Sequence, residues 1–146
     1  MDRAGNNIRR PDVILAIDDD REVLDSVKHL LESEGYAVLA AADPVEGIRQ
    51  YEAHWRDVKL VLLDFMMHII RGDEVFDRLQ EINPNVRAIL LTSCDSGAAG
   101  KMLNKGLRGF LPKPVVPEDL IGRVRAELDL SDHRAPGAAA RQASRL

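Results

Sequence analysis

Residues 13–22 read VILAIDDDRE. Five apolar residues, Val13 to Ile17, run straight into three consecutive aspartates, Asp18, Asp19 and Asp20. A short apolar run with polar flanks has the pattern of a fully buried strand. Such a strand delivers a block of negative charge to its own carboxyl end. Carboxylates packed this closely repel one another, and burial raises the pKa of each. A cost of that kind calls for a compensating charge brought to the same place.

Working outward, the same type of run recurs as AVLAA at 37–41, LVLLD at 60–64, AILLT at 88–92 and GFL at 109–111. The segments between them carry helical spacing. Val23, Leu24, Val27, Leu30 and Leu31 fall on one helix face, and Val75, Phe76, Leu79 and Ile82 repeat the pattern, as do Leu120, Ile121, Val124 and Leu128. Segment 43–55 opens with Asp43 as N-cap and Pro44 at the first helical position. Segment 96–105 is the weakest helix of the set, because Gly97 and Gly100 interrupt it. Five strand–helix units with continuously apolar strands predict an α/β fold with a parallel sheet covered on both faces. Five units are too few for a closed eight-fold barrel, which leaves an open doubly wound sheet, and there ligands bind at the carboxyl ends of the strands.

Four strand ends carry chemistry-bearing residues. The first ends in Asp18-Asp19-Asp20, the third in Asp64, the fourth in Thr92-Ser93, and the fifth is followed by Lys113-Pro114. Clustered carboxylates suit a hard divalent cation such as Mg²⁺, which takes oxygen ligands and completes its shell with water and phosphate oxygens. His29, His54, His68 and His133 are scattered and Cys94 stands alone, so no group of soft ligands competes for a metal. A lysine and a hydroxyl converging on the same spot suit a phosphoryl group.

VILAIDDD, LVLLDFMM, AILLTS and GFLPKP, in this order and each at its strand end, resemble the signature blocks of the response-regulator receiver domain of two-component signalling. The resemblance covers about residues 12–130. It implies a flavodoxin-like five-stranded sheet in the order 2-1-3-4-5 with five helices. It implies that Asp64 is the phosphoacceptor, that Asp18, Asp19, Asp64 and the main-chain carbonyl of Met66 hold Mg²⁺, and that Thr92 and Lys113 contact the phosphoryl group. Thr92 and Phe110 would form the switch, Gly72 matches the glycine closing the loop after the acceptor, and a cis bond between Lys113 and Pro114 is suggested. Asp20 falls outside the metal pair and suits a helix N-terminus. The family usually has proline four residues after the acceptor, whereas this chain has His68, read simply as an exposed loop histidine. Implied partners are a histidine kinase or histidine phosphotransfer protein, and a downstream protein or second copy at the face made by strand 4, helix 4, strand 5 and helix 5. The protein would act as a switch, with phosphorylation and dephosphorylation of itself as its only chemistry.

Bulk properties bound the alternatives. A chain of 146 residues with 45% apolar and 30% charged residues fits one soluble domain with a real core. Residues 1–11 and 131–146 each hold three Arg and one Asp, so of the net charge of −4 the intervening body carries −8. An acidic body argues against direct nucleic-acid binding. Both ends read as flexible tails. One cysteine, no secretory-type start and no membrane-length apolar run give the expectation of a cytoplasmic protein. Two competing functions remain: a hydrolase of the haloacid dehalogenase type, which normally carries Asp-x-Asp where this chain has Asp64-Phe65-Met66, and a non-phosphorylated receiver-like docking module, which would not need the full set of acids, hydroxyl and lysine.

Overall fold

The structure, a computed structural model, describes residues 10–93 and 97–132. Five strands alternate with five helices: β1 Val13–Ile17, α1 Arg21–Ser33, β2 Ala37–Ala41, α2 Pro44–His54, β3 Val58–Asp64, α3 Gly72–Ile82, β4 Ala88–Thr92, α4 Gly97–Asn104, β5 Gly109–Pro112 and α5 Pro117–Asp132. The strands form one sheet in the order β2-β1-β3-β4-β5, and every pairing is parallel. The fold and strand order are those expected from the sequence.

The two faces of the sheet divide the core by strand alternation. Leu15, Ile17, Val61, Leu63 and Leu90 point to one side and meet Tyr51 of α2, Phe76 and Leu79 of α3, and Met102 of α4. Ile14, Ala16, Leu60, Leu62 and Ile89 point to the other, against Leu24 and Leu31 of α1 and Leu120 and Val124 of α5. Helices on both faces explain why the strands are apolar throughout. β3 is central, and six of its seven residues are buried. The exception is Lys59. The β1–β3 register slips there, pairing Val13 with Val58 and Ile14 with Leu60, so the lysine leaves the ladder and β3 begins two residues before the apolar run at 60–64.

Helix starts follow local chemistry. The Asp20 carboxylate accepts from the N–H groups of Glu22 and Val23 and caps α1. Asp43 caps α2 through the Glu46 N–H, with Pro44 opening the helix. α5 runs two residues past the boundary expected at 130. The flexible-tail expectation for 1–9 and 133–146, and any role for Cys94, lie outside the described residues.

Candidate functional site

The parallel order puts the carboxyl ends of β1, β3, β4 and β5 side by side, and the expected site residues with them. Asp18 leaves the end of β1 and is held by a main-chain bond from its own N–H to the Ala41 carbonyl at 3.1 Å. Asp64 is the last residue of β3, paired with Leu91 of β4. Thr92 ends β4, and its carbonyl accepts from the Lys113 N–H at 2.8 Å, which ties the exit of β5 to the end of β4. Asp18, Asp64 and Thr92 are all buried.

One oxygen from each of Asp18, Asp19 and Asp64 lies within 4.8 Å of the others. Between two of these carboxylates sits an ammonium: Lys113 Nζ is 2.9 Å from Asp18 Oδ2 and 3.1 Å from Asp64 Oδ1. The Lys113–Pro114 bond is cis. Asp20 does not join the cluster, because its side chain caps α1 while its N–H donates to Asp18 Oδ1 at 2.9 Å. An all-oxygen, three-carboxylate set with two members buried matches the donors preferred by a hard divalent cation, so these residues fit the Mg²⁺ that the sequence implies.

The electrostatics reflect crowding. Burial, then the Asp18 charge, push the Asp64 carboxyl up to about 6 from 3.8, against the opposing pull of Lys113. Lys113 moves upward too: burial works against its charge, but its contacts with Asp18 and Asp64 prevail. For Asp19, burial raises the pKa, yet the hydrogen bonds and charge of His68 outweigh it and leave the carboxyl below its ordinary value.

The loop between β3 and α3 frames the site. The Gly72 N–H donates to the Phe65 carbonyl at 2.9 Å. A Cβ at Gly72 would stand 2.6 Å from the Asp64 main-chain oxygen and 2.8 Å from the Phe65 Cα, so the start of α3 packs directly on the backbone of Asp64 and Phe65. Met67 packs on the core edge, whereas the Met66 side chain is exposed. Phe110 is 45% exposed on β5, opposite Leu90.

His68 is more than an exposed loop residue. Its main-chain N–H donates to Asp19 Oδ2 at 3.0 Å, and its Nδ1 lies 2.7 Å from the same oxygen. Sequence reading placed His68 on the surface, correctly, and missed this contact. The available signal was chemical: proline, usual at this point in the resembled family, lacks the N–H.

The comparisons agree with this geometry. The family model for the response regulator receiver domain matches residues 14–125. A response regulator MprA of Mycobacterium leprae is 37% identical over 118 residues, covering 79% of this chain and 50% of that protein. The chain thus spans about half the length of the curated relatives it matches. Among solved structures, a CheY-like receiver domain protein from Methanospirillum hungatei is 32% identical with a TM-score of 0.80, covering 86% of this chain and 99% of that one. A CheX–CheY–BeF3–Mg²⁺ complex from Borrelia burgdorferi includes a chain 25% identical with a TM-score of 0.76, covering 85% of this chain and 92% of that one. With fold, strand-end acids and sequence in agreement, the chain belongs to the response regulator receiver domain family of two-component signalling.

Proposed function

We propose that this receiver domain is a phosphoacceptor switch that takes a phosphoryl group onto Asp64 from a histidine kinase or a histidine phosphotransfer protein. The observation that carries the proposal is the meeting of three carboxylates and one ammonium at the carboxyl edge of the sheet. The BeF3 and Mg²⁺ in the Borrelia burgdorferi complex support the same reading.

An Asp64 carboxylate oxygen attacks phosphorus, the bond from phosphorus to the donor's imidazole nitrogen breaks, and its electron pair stays on that nitrogen. An acyl phosphate results. Asp18, Asp19, Asp64 and the Met66 carbonyl would hold Mg²⁺, which supplies positive charge to the phosphoryl oxygens when bound. Lys113, already beside Asp64, pairs with the charge that arrives there, and the Thr92 hydroxyl donates to a phosphoryl oxygen. Burial of Asp64 excludes bulk water and strengthens both contacts.

Phosphorylation adds one to two negative charges. Thr92 turning toward them leaves space beside β5 that the half-exposed Phe110 enters, altering the β4–α4–β5–α5 face. That face then binds a downstream protein or a second copy, and the acidic body makes no direct contact with nucleic acid. The protein turns over no external substrate and works as a cytoplasmic switch; no described helix is long and apolar enough to cross a membrane. An apolar groove of about 470 Å³ lined by Val23, Leu30, Lys113, Pro114 and Val115 opens beside the site and supports docking of the donor protein there.

Incubation with acetyl phosphate and Mg²⁺ tests this. Intact mass should rise by one phosphoryl group, and Asp64→Asn should abolish the gain. Unchanged labelling of the Asn variant would remove Asp64 as acceptor.

A further inference from the structure

We infer that His68 is a positioning residue for the cation site, holding Asp19 by one carboxylate oxygen so that the other is presented to the metal. The inference rests on the Mg²⁺ reading proposed above and adds a residue to it.

Asp19 Oδ2 accepts twice from His68, once from the main chain and once from the imidazole. A carboxylate is an acceptor only, so Nδ1 carries the proton in this contact. Asp19 also contributes one of three carboxylate oxygens that lie within 4.8 Å of one another, and both bonds from His68 fall on Oδ2, leaving Oδ1 without a bond from His68. Asp19 is also the least buried of the three acids, with a side chain 21% exposed, against 4% for Asp18 and 5% for Asp64. Asp18 and Asp64 are immobilised by burial and by Lys113, whereas the orientation of Asp19 depends on His68.

The loop is shaped to make the contact. The Ile70 N–H donates to the His68 carbonyl at 2.9 Å across Ile69, whose φ is +76°. This tight three-residue turn lets the loop double back directly after His68. Proline at 68 would supply neither donor to Asp19. Hydrogen bonds to a ligating carboxylate fix its orientation, and their loss typically weakens metal binding 10- to 100-fold. The imidazole itself is 94% exposed, so its contact with Asp19 adds little to stability in the absence of metal.

Isothermal titration with MgCl2, without any phosphodonor, tests the assignment on the wild type and on His68→Ala, His68→Pro and His68→Asn. His68→Ala should weaken Mg²⁺ binding about 10-fold. His68→Pro, which loses both donors, should weaken it further. His68→Asn keeps an N–H at the position of Nδ1 and should recover most of the loss. Melting temperatures in EDTA should stay within about 2 °C of wild type for the Ala and Asn variants. Equal or tighter Mg²⁺ binding by His68→Ala overturns the inference, as does a lower metal-free melting temperature with unchanged affinity, which marks a purely structural role. A wild type that binds no Mg²⁺ overturns the cation-site reading and this inference together, whereas a wild type that binds beside variants that bind equally overturns only the role of His68. If His68→Pro does not fold, the Ala and Asn variants decide.

Discussion

Lys113 Nζ lies 3.1 Å from Asp64 Oδ1, and the Asp64 carboxyl nonetheless titrates at about 6, above its ordinary 3.8. Burial and the neighbouring Asp18 charge outweigh the single ammonium, which Asp64 shares with Asp18. The metal-free site is therefore short of positive charge.

A pH dependence follows. The folded state holds the Asp64 proton more tightly than the unfolded chain between about pH 4 and 6. Stability from this group is greatest below about pH 4 and is lost as pH rises through 6, a loss of about 3 kcal/mol. In EDTA, Asp64→Asn should flatten that decline and be more stable than wild type at pH 7.5 by about 1–3 kcal/mol. Urea denaturation at several pH values measures both. Parallel curves for the two proteins would contradict the assignment.

Lys113→Met should destabilise the metal-free protein by about 2–3 kcal/mol at pH 7.5, because two buried carboxylates then face each other unpaired. At pH 5 the loss should shrink, since Asp64 is already largely protonated. Saturating Mg²⁺ should stabilise the variant more than the wild type, the cation replacing the missing charge. Denaturation at both pH values, with and without Mg²⁺, provides the check. A loss independent of pH would mean that Lys113 matters by packing alone.

The sheet was legible because burial on both faces leaves an uninterrupted apolar signature, as in Leu60 to Leu63. The slip at Lys59 was not, because a bulge depends on the partner strand as well as on its own residues. Asp18, Asp64, Thr92 and Lys113 were legible because a parallel α/β sheet gathers strand ends by construction. His68 and Asp19 are 49 positions apart, and their contact depends on how a loop folds back, which no periodicity encodes. The positive φ at Ile69 runs against local preference, since β-branched residues avoid that region.

Gly72→Ala should destabilise the fold by about 1–3 kcal/mol and slow phosphorylation. The added Cβ meets main-chain atoms of Asp64 and Phe65 at 2.6 and 2.8 Å, and neither can rotate aside as a side chain would. Relief requires α3 or the end of β3 to move, and the second displaces Asp64, the proposed phosphoacceptor. The rate of labelling by acetyl phosphate and the urea midpoint measure the two effects. Wild-type values for both would show that the contact is readily relaxed.

Ile69→Asn should stabilise the protein. Ile69 is 82% exposed, so shortening it forfeits little apolar burial. Its φ of +76° is unfavourable for a β-branched side chain and acceptable for asparagine. Residues held in this region cost about 1–3 kcal/mol, and the surrounding bonds, Ile70 N–H to the His68 carbonyl and Gly72 N–H to the Phe65 carbonyl, keep the turn in place whichever residue occupies it. Asparagine should therefore return about 1 kcal/mol and raise the melting temperature by a few degrees. Affinity for Mg²⁺ should be retained, because the main-chain path that brings His68 to Asp19 is unchanged. Thermal denaturation in EDTA with parallel Mg²⁺ titration decides. A lower melting temperature would mean that position 69 does not hold a positive φ in solution, and weaker Mg²⁺ binding would mean that the turn had not survived the change.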